Sequence, residues 1–239
     1  AYDLAGRMVQ AADPMGKITE LTYDPVGNII SMTRPGGRKT GYGYDQNYNL
    51  TTVTDPMGYV EQNIYDNSNR VTEVIDALKQ KTAWHYDKGS RITEITDKLG
   101  QTTGFEYDPH GNIITVKDRT GLKTNLEYDA NDNLVRVADP MGGITNYAYD
   151  NMDNLTSFTD AAGKTTEYTY DLEGNLTSRK TPAGNTEKFG YDEKGRLTSH
   201  ISPSGKKVSY DYDKLNDLLE KSYEDAKGKE TDPKVTYTY

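Results

Sequence analysis

Apolar and polar positions alternate with a period of two over short runs. The whole motif then recurs with a step of 21 residues, from Tyr23 to Tyr44 to Tyr65 and onward. In the unit that begins at Tyr149, residues 154–159 and 164–170 are rich in Thr, Tyr, Phe and Leu, most of which fit a pleated sheet. Each Tyr and the residue two before it share one face of a strand. That earlier position carries Leu21, Tyr42, Trp84, Phe105, Leu126, Tyr147, Tyr168, Phe189 and Tyr210, with Asn63 as the exception. The residue between the two is polar or small in most copies. Six residues after each Tyr stands an apolar side chain, among them Met8, Ile29, Leu50, Val71, Leu134, Leu155, Leu176 and Leu197. The pattern predicts strands with one aromatic face and one wet face. It also fixes their register, because a slip of one residue would turn the aromatic row into water.

The strands are separated by turn chemistry. Asp-Pro-Met-Gly occupies residues 13–16, 55–58 and 139–142; Asp-Pro-Val-Gly and Asp-Pro-His-Gly occupy 24–27 and 108–111. Asp accepts from the turn backbone, Pro presets φ, and Gly tolerates positive φ. This is a type I turn followed by a left-handed residue, a common hairpin connection. Connections this short force antiparallel neighbours. With Tyr-Asp present in eleven copies from Tyr2 to Tyr212, the expectation is an all-β chain. It is a continuous antiparallel meander of about 22 strands, two per repeat, spanning 1–239 as one array and curling into a spiral shell or tube. The chain opens inside a repeat at Ala1 and reads as a piece of a longer protein. Free strand edges are expected at Ala1 and Tyr239, where other copies could pair.

Two irregularities stand near the C-terminus. Pro233 occupies the place of the next Tyr, and the matching residue is Tyr239, six residues late. The extra residues are expected in a lengthened hairpin loop within 224–234. In addition, Arg179, His200 and Lys221 stand where earlier copies carry Val53, Val74, Ile95, Val116, Val137 and Phe158.

Composition agrees with a single sheet wetted on one side. Hydrophobic residues make up 33% of the chain and mean hydropathy is −0.88, yet 20 Tyr oppose disorder. A net charge of −9 and a pI near 4.9 disfavour nucleic acid and insertion into anionic membranes. There is no cysteine, hence no disulfide framework or thiol chemistry. No apolar stretch is long enough for a membrane-spanning helix.

Candidate chemistry is sparse. Asp at the Tyr-Asp position reads as a turn cap. Successive copies lie about 9.5 Å apart, two strand spacings, so the column of carboxylates needs no metal. Residues 129–133 alternate oxygen-bearing side chains as a calcium loop does, but lack its sixth-position Gly and distal Glu. His85, His110 and His200 sit at different repeat positions without ligand spacing. Asn-Leu-Thr at Asn49, Asn154 and Asn175 matches a glycosylation sequon, but it is the repeat consensus. No catalytic, cofactor-binding or metal-binding residue is assigned, no cofactor is implied, and no enzyme activity is expected.

The stretches Tyr170-Asp-Leu-Glu-Gly174-Asn-Leu-Thr177, Tyr191-Asp-Glu-Lys-Gly195-Arg196-Leu-Thr198 and Asp24-Pro-Val-Gly27-Asn28 closely resemble the RHS (YD) repeat. That repeat occurs in bacterial polymorphic toxins, the C component of Tc toxins, wall-associated proteins and teneurins. The resemblance covers essentially the whole chain. It implies a long antiparallel strip that spirals into a hollow shell around a C-terminal toxin or other cargo, on a secreted or bacterial cell-surface protein. The family's DPxGL-type motif is absent here, because Asp-Pro-Met-Gly is followed by Lys17, Tyr59 or Gly143. Partners implied are neighbouring repeats or other copies, an enclosed toxin domain, or glycans, which such repeats are also held to bind. The leading reading is part of that shell. A self-assembling or surface-displayed extracellular fibre and a glycan-binding adhesin stand as alternatives.

Overall fold

The computed structural model describes residues 1–238 and contains strands and turns without helix among them. The described residues form 22 antiparallel strands in a meander, numbered β1 (Gln10–Ala12) to β22 (Glu230–Thr236). They fall into two units, Ala1–Glu106 with Val116–Leu122, and Tyr107–Thr115 with Lys123–Tyr239. In the first unit sequence neighbours pair from β1 with β2 (Ile18–Tyr23) through β9 (Ile92–Thr96) with β10 (Thr102–Tyr107). In the second they pair from β12 (Lys123–Tyr128) with β13 (Leu134–Ala138) through β21 (Leu218–Glu224) with β22.

The second unit shows the construction clearly. Between β14 (Ile144–Tyr149) and β15 (Leu155–Thr159), Tyr147 faces Phe158, Ala148 faces Ser157 and Tyr149 faces Leu155. Leu155 to Ser157 is two steps on one strand against one on the other, so Thr156 is an extra residue, a β-bulge. The same shift recurs at Tyr128, Tyr170, Tyr191 and Tyr212, and in the first unit at Tyr23, Tyr44, Tyr65 and Tyr86. The bulge is what lets the apolar residue six after each Tyr and the one nine after it both face the aromatic row. Their offset of three would otherwise put them on opposite faces.

Exposure alternates as the pattern predicts. Along β12 and β14, Leu126, Tyr128, Tyr147 and Tyr149 are half-buried while Glu127, Asn125, Ala148 and Asn146 are exposed. The aromatic side chains touch one another, with the Tyr147 and Phe158 rings 5.5 Å apart. No described hydrophobic side chain is buried; Ser31 and Thr115 are the buried residues. Each unit is a sheet whose aromatic face lacks a second layer of its own.

The late insertion is not a longer loop. Asp225 to Lys229 close the ordinary turn, with Asp225 N–H donating to the Lys229 carbonyl at 2.8 Å and Gly228 N–H to the Asp225 carbonyl at 3.0 Å. Part of the addition lengthens the strands: β21 and β22 have 7 residues each, where β19 (Leu197–Ile201) has 5 and β20 (Lys207–Tyr212) has 6. Register shifts beside Tyr223 take up the mismatch. Ladder hydrogen bonds serve the inserted backbone better than an open loop would. At the start of the described residues, Val9 N–H donates to the Ala1 carbonyl at 3.0 Å. The expected edge at Tyr239 lies outside the described residues.

Candidate functional site

The Tyr, Asp, Asn and Thr of the Tyr-Asp-x-x-x-Asn-Leu-Thr stretch converge on the edge where the Tyr-Asp turns stand. In the turn at Asp150, Oδ1 accepts from Met152 N–H at 2.8 Å and Asn154 N–H at 3.0 Å, and Oδ2 accepts from Asn154 Nδ2 at 3.1 Å. Asp45 with Asn49 and Asp171 with Asn175 repeat this clamp. The Asn of the apparent sequon is thus the turn's own fastener. The fourth turn residue is left-handed: Gly27 and Gly174 take φ 106° and 85°, and Tyr48, Asp132 and Asp153 take 64°, 65° and 62°.

The Tyr hydroxyl ties one repeat to the next. Tyr170 Oη donates to the Leu155 carbonyl at 2.9 Å, fifteen residues back. Tyr44 reaches Ile29, Tyr65 reaches Leu50, Tyr86 reaches Val71, Tyr149 reaches Leu134 and Tyr212 reaches Leu197 in the same way. Asn63 is exceptional in type but not in role, since its Nδ2 donates to the same Leu50 carbonyl at 3.0 Å. The bulge Thr fastens the third link: Thr156 Oγ1 donates to the Ala148 carbonyl at 3.1 Å, and Thr51 and Thr72 do so to Gly43 and Ile64 at 3.2 Å.

Where Arg replaces the clamping Asn, it reaches further. Arg70 Nε donates to Asp66 at 2.7 Å, its NH1 to the Asp87 carbonyl of the next turn at 3.1 Å, and its guanidinium lies 4.6 Å from the Tyr86 ring centre. Arg7 and Arg196 repeat the arrangement over Tyr23 and Tyr212, each at 4.8 Å.

These bonds set the protonation states. Hydrogen bonds from the Asn154 side chain and then its backbone hold the Asp150 carboxyl below its usual range; the Arg91 backbone and side chain do the same to Asp87. Partial burial pushes Tyr44, Tyr128, Tyr149, Tyr170 and Tyr191 up. The edge therefore combines carboxylates fixed as acceptors with phenols fixed as donors, a fastening rather than a proton-transfer pair.

The residues weighed individually in the sequence are dispersed. Asp129 caps its own turn through Asn131 N–H and Asn133 N–H, both at 2.9 Å. The amides of Asn131 and Asn133 both donate to Asp153, at 2.9 and 2.6 Å, so the calcium-like oxygens are committed within and between turns. His85 faces Glu94 at 3.4 Å on the wet side of its sheet, and His110 pairs with Asp132 at 2.8 Å on the turn edge, which raises its pKa. His200 stacks on Phe189, with ring centres 5.0 Å apart, on the aromatic face. Sequence reasoning missed the bulge Thr, the target of the Tyr hydroxyl and the Arg bridge. The Asn-Leu-Thr consensus was the visible signal for the first.

No helix among the described residues is long and apolar enough to cross a membrane. The profile of the Teneurin YD-shell family matches residues 59–231, and that of the RHS Repeat matches 2–39 and 23–60. No curated protein sequence matches the chain. Among solved structures, the Tc holotoxin pore of Photorhabdus luminescens is similar, at a TM-score of 0.58 and 16% identity over 95% of this chain and 15% of that one. The TcdB2-TccC3 structure without its hypervariable C-terminal region gives 0.53 and 15% over 96% of this chain and 16% of that one. TcdB2-TccC3-Cdc42 gives 0.52 and 14% over 98% and 16%. This chain thus spans about a sixth of the length of the solved chains it matches. At these identities the likeness shows the fold, and the profile match shows the family: the chain belongs to the teneurin YD-shell family of RHS repeats.

Proposed function

We propose that the chain is one continuous array serving as a stretch of wall in a hollow β-shell. The shell encloses the cargo of an exported bacterial RHS toxin or surface protein, and the repeats themselves do no catalysis. One observation carries this reading. The sheet presents a row of large aromatic side chains on a single face, yet no described hydrophobic residue is buried. Aromatic surface of that extent marks a face that meets something else. The wet face, by contrast, carries exchangeable ion pairs such as Lys180 with Glu167 at 2.9 Å, suited to solvent. A wall that contacts its contents on one side and water on the other has this asymmetry.

The test uses the full-length protein that contains these repeats. A photo-crosslinking residue is placed either at Phe158, on the aromatic face, or at Ala148, on the wet face. Crosslinks to polypeptide outside the repeats are expected from position 158 and not from 148. Equal crosslinking from both, or crosslinking from 148 alone, overturns the reading.

A further inference from the structure

Arg179, His200 and Lys221, which interrupt the apolar row, form a ladder on the aromatic face of the second unit. Arg179 stands opposite Tyr168, His200 opposite Phe189 and Lys221 opposite Tyr210. Each of the three thus has an aromatic residue as its cross-strand partner. His200 is stacked on Phe189, nearly parallel at 13°. The Lys221 ammonium lies 5.7 Å from the Tyr210 ring centre and 5.2 Å from that of Tyr223. Glu187 reaches two of the three, at 2.8 Å from Arg179 and 3.8 Å from His200. No described carboxylate pairs with Lys221, whose neighbours Tyr223, Tyr210 and Tyr237 keep it protonated. In a chain of net charge −9, this face has gathered positive charge over aromatic ground.

The spacing selects the ligand's shape. Equivalent residues of successive repeats are two strands apart, about 9.5 Å. An extended β-strand turns alternate side chains to opposite sides, so residues three apart do not face one way. A polyproline II helix has three residues per turn and rises about 3.1 Å per residue, which returns side chains to one side every ~9.3 Å. Such helices also dock on aromatic-lined surfaces. We propose that Arg179, His200 and Lys221, with Tyr168, Phe189 and Tyr210, form a docking surface for an acidic polyproline II segment with a carboxylate at every third residue. The segment lies across the strands, its carboxylates over Arg179, His200 and Lys221 and its prolines on the rings. This inference does not rest on the shell reading, since the surface is complete within the chain.

The experiment titrates the 239-residue chain with a fluorescent peptide of four Glu-Pro-Pro triplets at low salt, where charge contrasts are least screened. Its controls are a peptide of the same composition with the Glu residues in one block, and a Lys-Pro-Pro version. The regular acidic peptide is expected to bind at least about tenfold more tightly than either. Arg179→Gln with Lys221→Gln should weaken it by a similar factor, while Glu187→Gln, which frees Arg179, should tighten it several-fold. Far-UV circular dichroism of each variant separates lost binding from lost folding, and the opposite sign at Glu187 does so independently. The proposal is overturned by no saturable binding of the regular peptide, by equal affinity for the blocked one, or by a Glu187→Gln variant that binds no better.

Discussion

The two edges of the sheet are closed by the same kind of turn but do different work. On the opposite edge, Asp160 Oδ1 accepts from Ala162 and Lys164 N–H at 2.9 Å, closing its own hairpin. On the Tyr-Asp edge, Asp150 makes the same two bonds and adds the Asn154 side chain on Oδ2. The Tyr hydroxyl, bulge Thr and bridging Arg then link that turn to its neighbours. Both edges shape hairpins; links between turns are sparse on the opposite edge, as from Lys98 to Asp76 at 2.6 Å, and regular on the Tyr-Asp edge. Where no described hydrophobic side chain is buried, coupling between neighbours is what makes repeats unfold together.

The largest expected effect comes from acid. Carboxyls held low in the folded state contribute stability that is fully present above their unfolded value, near 4, and is lost as pH falls through their folded values. Asp3, Asp45, Asp66, Asp87, Asp129, Asp150 and Asp171 on the Tyr-Asp edge all have this sign. On the other edge Asp76 and Asp118 share it, each with an added side-chain donor, Lys98 or Thr120. The thermal midpoint should therefore hold from about pH 5 upward and fall steeply toward pH 3. Amide exchange at pH 3 should quicken first at the Tyr-Asp turns; first loosening of the opposite edge would break the comparison. Raised Tyr pKa values give the opposite limit. Their contribution is present below about pH 10 and lost as pH rises through the folded values.

Single substitutions sharpen the contrast. Asp150→Ala should lower the unfolding midpoint on the order of twice as far as Asp160→Ala, since it also releases the Asn154 clamp; thermal scans of the two variants decide it. A smaller effect is expected for Arg70→Met, which keeps the stem but removes the bonds to Asp66 and to the Asp87 carbonyl and the contact with Tyr86. The expected loss is about 1–2 kcal/mol in urea unfolding. A cost below about 0.3 kcal/mol would mean that the bridge contributes nothing.

Much of this edge was legible in the sequence. Alternation around Tyr168 and Tyr170 gave the faces, and Asp-Pro-x-Gly gave turns that the hydrogen bonds reproduce at Asp13 and Asp139. The bulge was harder to read. Leu155 and Phe158 differ by three, an offset that looks like a change of face until Thr156 is counted as extra. The Tyr170 hydroxyl could not be traced to Leu155 from the sequence because its partner is a backbone carbonyl, which leaves no signature in residue type. Arg70 and Asn49 occupy one repeat position, so the consensus concealed that the longer side chain crosses to the next turn. At the late insertion, charge and low apolarity suggested a loop. Asp225 and Gly228 already carried the turn signal, and their positions leave the turn at its ordinary length while both strands grow.

The central claim is that bonds on the Tyr-Asp edge couple the repeats throughout, whereas the opposite turns chiefly close hairpins, with few links between them such as Lys98 to Asp76. It is tested most directly by comparing two multiple variants in urea. In one, Tyr65, Tyr86, Tyr149 and Tyr170 become Phe; in the other, Asp55, Asp97, Asp139 and Asp160 become Asn. Loss of coupling lets segments unfold separately and flattens the transition, while loss of local stability shifts the midpoint at constant slope. The Tyr→Phe variant is expected to unfold with a clearly reduced m-value, and the Asp→Asn variant with a lower midpoint and an unchanged one. An unchanged slope in the Tyr→Phe variant, or a reduced slope in the Asp→Asn variant alone, would contradict the account.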